Sequence, residues 1–547
     1  MNSAGPHDAG AVFDQPVGEL LRRRAGELSD RPYLTVVGRS FTFAEMDARV
    51  DEVAAGLQAL GVTKGDRVAT ISTNRSEAVL IFYAVTRLGA ILVSLNPFLK
   101  GSFLAFQLGH AAPKVVVSDA QGVAALATVI DEVPSLEVCV ALDADDGVEL
   151  AASRLVPFDD LAGLGTDLDL PDVSATDVAL IVYTSGTTGN PKGCALSHGY
   201  LQCAAQGFLD ALEVGPDDVI YGTMPMYHVG VLCHTILGSL MTGIPATLDA
   251  HFSARTFIAR AEEIGATVTY GVGAHGASLM ALPPSPDDRK HRLRTLMVAP
   301  MTPATQEEFH ERFGIDPLAE IFGQTECIPV SMTPLSGERD RGGAGLPAPQ
   351  IDVILLDDDD RPVADGEVGE ICFRPRHRFA MFSGYWNNPE ATLAATSSLW
   401  FHSGDLGRIR PSGQVQFVDR KKDSMRRRGE NISSAEVEGA ILRHPKVADV
   451  AVHGVPSELT EEDVKACIIL KPGVEVTPEE LFAFFQSSMP YYAVPRYVEL
   501  FDDLPRSAVG RVTKAVLRAR PAVGDTGWDL EAMGFSVDRA DRRTVAG

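Results

Sequence analysis

Lysine is scarce in this chain: of its 48 basic residues 11 are Lys and 37 are Arg. Basic charge as a whole falls short of acidic charge, 48 against 73, which leaves a net charge of −25. A general nucleic-acid binder needs a basic surplus to neutralise phosphates, so that class is excluded. Adsorption to an anionic membrane is disfavoured for the same reason. Cysteine is sparse. Cys139, Cys194, Cys203, Cys233, Cys327, Cys372 and Cys467 are scattered, odd in number and form no CxxC. A disulfide framework or zinc site is therefore not expected; free thiols in a reducing compartment are. No apolar run is long enough for a membrane span. The most apolar window, residues 78–95, is interrupted by Arg87 and Gly89, whereas a span needs ~20 mostly uncharged residues. It reads as a buried helix running into a buried strand. The first residues, MNSAGPHDAGAVFDQP, have neither a basic region nor an apolar core, so no secretory signal is expected and a cytoplasmic location is. No internal repeat or long low-complexity tract is evident.

What is present is an ordinary globular balance, 45% hydrophobic and 22% charged over 547 residues. At roughly 150 residues per domain that length suggests two to four units. Helix-like and strand-like segments alternate along most of it. Residues 43–62 have helical spacing, 66–72 read as a strand, 75–89 as a helix, and ILVSLN and 113–119 as strands. This βαβ rhythm predicts a mostly parallel sheet covered on both faces. From about residue 340 short apolar runs alternate with turn signals, as in 351–375, which predicts antiparallel strands in a smaller sheet or barrel. The DDDD run at 357–360 reads as a hairpin tip, not a metal site. Beyond 420 a compact α+β set follows: helices at 435–445 and 477–490, strands at 447–456 and 465–473. The expected fold class is α/β, with a large N-terminal domain of βαβ sheets plus a small barrel-like subdomain over 1–420 and a small mobile α+β domain over 423–520. The tail 521–547 either docks through Trp528, Leu530 and Phe535 or is disordered.

The densest chemistry lies in ALIVYTSGTTGNPKGCALSHG, residues 179–199. Apolar ALIVY reads as a strand that enters a loop and then the helix-like SHGYLQCAAQG. Small residues let backbone N–H groups approach an anion, and Thr184, Ser185, Thr187 and Thr188 add hydroxyl donors. Gly186 and Gly189 add freedom, and Lys192 a mobile positive charge. Together they can wrap nucleotide phosphates. The loop is not the GxxxxGK[ST] pattern, because Pro191 sits where the second Gly belongs.

YTSGTTGNPKG resembles the signature loop of the adenylate-forming superfamily, which includes acyl-CoA synthetases, peptide-synthetase adenylation domains and luciferase. The resemblance covers nearly the whole chain, because PMYHVG (225–230), IFGQTE (321–326), FHSGDLG (401–407), VDRKKDSMRRRGENISSAEVE (418–438) and LPRSAVGRVTK (504–514) follow in the family's order. FGQTE, GEN-ISS-EVE and the C-terminal spacing look most like the crotonobetaine/carnitine–CoA ligase group. The resemblance implies a ligase using ATP/AMP or an acyl-adenylate, coenzyme A and Mg. It makes Phe322 the adenine-stacking aromatic, with Gly323 and Gln324 beside the nucleotide and Thr325 at the α-phosphate. Glu326 becomes the magnesium ligand, with Thr184 helping; a hard cation prefers such oxygens. Asp405 and Arg420 take the ribose. His228 gates the channel between acyl pocket and nucleotide, and Lys422 (within a hinge at 421–422) is the pivot of the small domain. Gly429 and Arg428 border the pantetheine tunnel. Arg426, Arg427 and Arg428 either meet the CoA diphosphate or form a solvated basic face. The apolar residues Met224, Met226, Val229, Val231 and Leu232 around His228, and the absence of an acid in GVGAHG (271–276), favour an apolar carboxylic acid over an amino acid.

One residue departs from the family pattern. The C-terminal loop of relatives carries a Gly-Lys whose Lys bridges the attacking carboxylate and the α-phosphate; here Arg511 stands there. Arg is longer, planar and delocalised, and needs more room. The leading expectation is an acyl-CoA ligase-family enzyme with weak or absent adenylation and a working thioester-forming half, its acyl-adenylate coming from a separate adenylating enzyme. A complete AMP-forming ligase, a carrier-protein-loading adenylation enzyme and a non-catalytic acyl-nucleotide binding protein are the alternatives.

Overall fold

The computed structural model describes residues 13–143, 150, 154–165, 167–184, 191–421, 425–427, 430–432, 434–457, 462–489, 493–506 and 512–535. The chain divides into two compact units. One comprises residues up to 354 with 372–401 and 410–416; the other comprises 355–371, 402–409 and 417 onward.

The first unit is built on two large sheets. One has eight strands in the order Gly384–Tyr385, Lys192–Ser197, Val178–Thr184, Ile91–Leu95, Arg67–Ile71, Val115–Ser118, Val138–Ala141 and Arg154–Pro157. Its strands from Val178–Thr184 outward to Arg154–Pro157 pair in parallel. Parallel pairing requires crossovers, and the helices Ser76–Arg87 and Gly101–Ala111 supply two of them. The other sheet has seven strands, parallel except for the antiparallel pair Pro32–Val36 and Arg39–Thr42. The window singled out for its apolarity is the helix Ser76–Arg87, buried nearly throughout, followed by the buried strand Ile91–Leu95. Local signals start the helices. Thr42 and Glu45 form a reciprocal capping box on Phe43–Ala59, and Ser197 accepts from the Tyr200 N–H to cap His198–Leu212. All seven cysteines are buried free thiols.

One expectation needs correction. The loop after Thr184 does not lead directly into a helix. Lys192–Ser197 is a buried strand antiparallel to Val178–Thr184, with Thr184 opposite Lys192. The apolar Cys194, Ala195 and Leu196 suit a buried strand, but the five residues between Pro191 and the Ser197 cap were too short a pattern to separate from the helix that follows.

A three-stranded sheet, Ile321–Gln324, Cys327–Met332 and Leu346–Pro347, has antiparallel pairs, and the segment beyond 340 adds a sheet of four strands, Ile351–Leu356, Gly369–Pro375, Phe401–Ile409 and Val415–Arg420. The small α+β set folds around the sheet Val447–Pro456, Glu462–Leu470, Tyr497–Leu500 and Gly527–Asp529, with helices Ser434–Ile441 and Pro478–Ser488. Its last strand belongs to the C-terminal segment. Trp528 and Phe535 pack on the apolar core of this set and Leu530 is buried in it, so the tail docks as far as residue 535.

Among the described residues no helix is long and apolar enough to cross a membrane. Phe82 lies wholly inside the main core of the first unit. Phe82→Ala is expected to lower stability by about 3–5 kcal/mol, read as an earlier first transition in urea.

Candidate functional site

The antiparallel hairpin at the edge of the eight-stranded sheet presents the first group of residues. Thr184 ends one strand and Lys192 begins the other; the Thr184 hydroxyl donates to the Lys192 carbonyl at 3.4 Å. The short strand Gly384–Tyr385 pairs with Cys194 and Ala195 and brings Tyr385 alongside. Lys192 Nζ sits over the Tyr385 ring, 4.8 Å from its centroid. Ser185, Gly186, Thr187, Thr188 and Gly189, expected to hold phosphate, lie outside the described residues.

A second hairpin supplies the acid. Ile321–Gln324 and Cys327–Met332 are joined by the tight turn Thr325–Glu326, with Gln324 opposite Cys327. Tyr200 fixes that turn by donating its hydroxyl to the Thr325 carbonyl at 2.8 Å. Glu326 is buried, and its Oε1 accepts the Tyr385 hydroxyl at 2.7 Å. Burial pushes the Tyr385 hydroxyl well above its ordinary pKa, and the Glu326 carboxylate adds to this. Tyr385 therefore stays a neutral donor. The buried Cys194 thiol lies beside both the Thr184 hydroxyl and the Glu326 carboxylate, so these two oxygens approach one sulfur. Burial, with Glu326, pushes that thiol far up, which keeps it an inert SH. A carboxylate and a hydroxyl converging in a buried place are the donor chemistry a hard divalent cation takes.

Phe322 is half-buried and packs against the cluster of Cys327, Val330 and Phe373. Gly323 is tight: a Cβ there would lie 3.1 Å from the Cys327 carbonyl oxygen. Gln324 is half-buried on the same strand. His228 is half-buried ahead of the short helix Val229–Val231, its ring 4.5 Å from that of Tyr227. Met224, Met226, Val229, Val231 and Leu232 are all buried and belong to the main apolar core.

In the second unit Asp405 is almost fully buried, and Arg420 Nε meets its Oδ1 at 2.8 Å. Beside this pair Glu370 accepts from the Gly404 N–H at 2.9 Å and from Lys421 Nζ at 3.0 Å, and His402 Nδ1 lies 3.1 Å from it. Burial alone would raise the Glu370 pKa, but His402, Lys421 and the Gly404 N–H outweigh it and hold the carboxyl below the ordinary range. The acidic run is an exposed turn, and Asp358 reaches Lys421 at 3.0 Å. Asp419 caps the helix Ser434–Ile441, its Oδ2 accepting from the Ser434 N–H and hydroxyl at 2.6 and 2.9 Å. Lys514 Nζ binds Glu438 at 2.8 Å and the Ser434 hydroxyl at 2.5 Å. Arg427 is not part of a solvated basic face: its guanidinium is buried against Asp463 and Glu531. Lys422, Arg428, Gly429 and Arg511 lie outside the described residues.

Sequence reasoning missed Tyr385 and Cys194. Tyr385 stands in SGYWNNPE, a Gly-aromatic turn whose only signal was an aromatic beside glycine. Cys194 looked like one more scattered cysteine.

Two profiles, AMP-binding enzyme and AMP-binding enzyme C-terminal domain, match residues 21–386 and 436–511. The chain belongs to this adenylate-forming family, with the acyl-CoA ligases, whose members use ATP/AMP and CoA. Among its relatives, crotonobetaine/carnitine–CoA ligase of Salmonella paratyphi A is 32% identical over 493 residues, covering 88% of this chain and 93% of that one. The Escherichia coli O139:H28 protein of the same name is 32% identical over 498 residues, covering 88% and 94%. Among solved structures, ATP-bound MatB from Rhodopseudomonas palustris superposes with a TM-score of 0.80 at 28% identity, covering 92% of this chain and 98% of that one. The anthranilate CoA ligase AuaEII in complex with anthranoyl-AMP gives 0.82 at 23% identity, covering 93% and 97%, a likeness of fold.

Two outcomes follow from this geometry. Tyr385→Phe deprives buried Glu326 of its 2.7 Å donor and is expected to weaken ATP binding roughly tenfold; unchanged affinity by calorimetry removes Tyr385 from the site. Glu370 has a depressed folded pKa, so its contribution is present above the ordinary carboxylate value and lost as pH falls through the folded one. Glu370→Gln should therefore be less stable than the parent at pH 7, and the gap should close below about pH 4. A gap constant from pH 7 to pH 3 in denaturant titrations contradicts that.

Proposed function

We propose that the protein makes acyl-CoA from an acyl-adenylate and CoA, and that its own adenylation is weak or absent. Its acid is an apolar carboxylic acid. Phosphates lie on residues 184–192, the adenine on Phe322, the ribose hydroxyls on Asp405 and Arg420, and Lys422 serves as the pivot between the half-reactions. Glu326 and Thr184 would hold a magnesium ion, which offsets phosphate charge when bound. The burial of Glu326 and the nearness of both side chains to the Cys194 thiol support that fit.

Two half-reactions are at issue. In the first, a carboxylate oxygen attacks the α-phosphorus and pyrophosphate leaves. In the second, the CoA sulfur attacks the acyl carbonyl and AMP leaves. A cation that follows the carboxylate into the first transition state must sit within a narrow tolerance; a 1 Å error can cost ~100-fold. Arg511 offers a planar fork in place of a compact ammonium. This single replacement in an otherwise well-matched set carries the reading. Lys514, the nearest lysine in sequence, is engaged with Glu438 and Ser434, which argues against its substituting. The second half-reaction does not call on that loop, so it should survive. The acyl-adenylate would then come from a separate adenylating enzyme.

A complete AMP-forming ligase is the second reading. It is favoured by the preference of this chain for Arg, 37 against 11 Lys, and by relatives named as CoA ligases.

The test compares the unaltered protein with Arg511→Lys. Preformed acyl-AMP with CoA should give acyl-CoA in both. Pyrophosphate exchange with acid and ATP should be feeble in the unaltered protein and rise ~100-fold or more in Arg511→Lys, the scale of a donor used only in a transition state. Equal, robust exchange by both would establish the complete ligase.

A further inference from the structure

The strand Phe401–Ile409 is kinked one residue before Asp405. Gly404 has φ +70°, a left-handed conformation that suits glycine and twists the strand locally. Such a twist re-aims the side chain beside it. The Ser403 hydroxyl then accepts the Asp405 N–H at 3.0 Å, and the Asp405 side chain turns inward, only 1% exposed.

Glu370, on the neighbouring strand Gly369–Pro375, spans this kink. Its Oε1 accepts the Gly404 N–H at 2.9 Å. Its Oε2 accepts from Lys421 Nζ at 3.0 Å and lies 3.1 Å from His402 Nδ1. Lys421 directly follows Arg420, and its backbone N–H donates to the Gly404 carbonyl at 2.9 Å. One buried carboxylate thus holds the residue before Asp405 and the residue after Arg420, the two side chains that meet at 2.8 Å. The outer partners are weaker holds. Asp358, which also meets Lys421 at 3.0 Å, is 87% exposed, and Asp360 lies 3.7 Å from His402 Nε2. An exposed pair contributes little, whereas a buried charge that loses a partner is costly. Lys421 is therefore placed by Glu370 and not by the acidic turn.

We propose that Glu370 is a positioning residue for nucleotide recognition, setting Asp405 and Arg420 at the spacing that grips the two ribose hydroxyls. This rests on the reading above in which that pair takes the ribose. Glu370 acts through Gly404 and Lys421. A hydrogen bond weakens steeply once its geometry is lost, so a shift of either strand end is felt by the hydroxyls and not by the rest of the nucleotide.

The full-length protein and its variants are titrated by calorimetry with ATP and with 2′,3′-dideoxy-ATP, which lacks both hydroxyls. The unaltered protein should prefer ATP. In Glu370→Gln the amide has one oxygen for the Gly404 N–H and turns an NH2 against Lys421. ATP affinity should fall about tenfold, the scale of a lost charged hydrogen bond, while 2′,3′-dideoxy-ATP affinity stays within twofold. Lys421→Gln keeps the Gly404 bond and should show a smaller loss, again confined to ATP, which carries the test if Glu370→Gln fails to fold. Asp358→Asn removes only the exposed partner and should leave the preference intact. Equal losses for the two nucleotides, or an unchanged preference in both Glu370→Gln and Lys421→Gln, overturn the proposal. If the unaltered protein binds the two nucleotides equally, the ribose assignment itself fails and this inference with it.

Discussion

The hydrogen bond from Tyr385 to Glu326, 2.7 Å long, is the constraint on which the candidate site depends. Tyr385 rides on the edge of the eight-stranded sheet; Glu326 sits at the tip of a hairpin in another sheet. The bond fixes the acid relative to the hairpin that carries Thr184 and Lys192. Lys192 Nζ lies over the face of the same ring, 4.8 Å from its centroid. A cation over the ring face and a buried carboxylate at the hydroxyl thus share one neutral phenol. Burial keeps the phenol protonated, so it stays a neutral donor between them. With the Cys194 thiol beside Glu326, this contact ties the phosphate-loop stem to the acid.

Much of this was legible in the sequence, and the limits have physical causes. The helix Ser76–Arg87 and strand Ile91–Leu95 were plain because burial on all sides writes a continuous apolar run. The caps Thr42 and Ser197 were not read in advance, although their side chains act locally. Lys192–Ser197 was not, because a central strand of six residues carries no alternation to distinguish it from a helix start. Tyr385 was not, because its partner Glu326 is 59 residues away and no local pattern encodes such a pairing. Arg427 read as one of three equivalent arginines. Only tertiary packing shows that alternation along a strand turns it inward onto acids 36 and 104 residues further on, Asp463 and Glu531.

The charge of the chain gains a meaning from these pairings. A surplus of acids is not spread evenly: Asp463, Asp529 and Glu531 surround two arginines, and Glu370 and Asp358 surround Lys421. Several of the chain's basic groups are therefore consumed in holding segments at set positions. Arg in a structural pair gains from its fork; Arg at a reacting centre loses the compactness of an ammonium.

The claim beneath all of this is that the unit carrying Thr184, Lys192, Phe322 and Glu326 is a working nucleotide site, whatever Arg511 does to catalysis. Calorimetric titration of the unaltered protein with ATP, and with a stable acyl-adenylate analogue, tests it without requiring turnover. The account predicts that both ligands saturate one site per chain and exclude each other, and that Glu326→Gln weakens ATP more than the analogue. Failure of both ligands to bind, or binding without mutual exclusion, contradicts it.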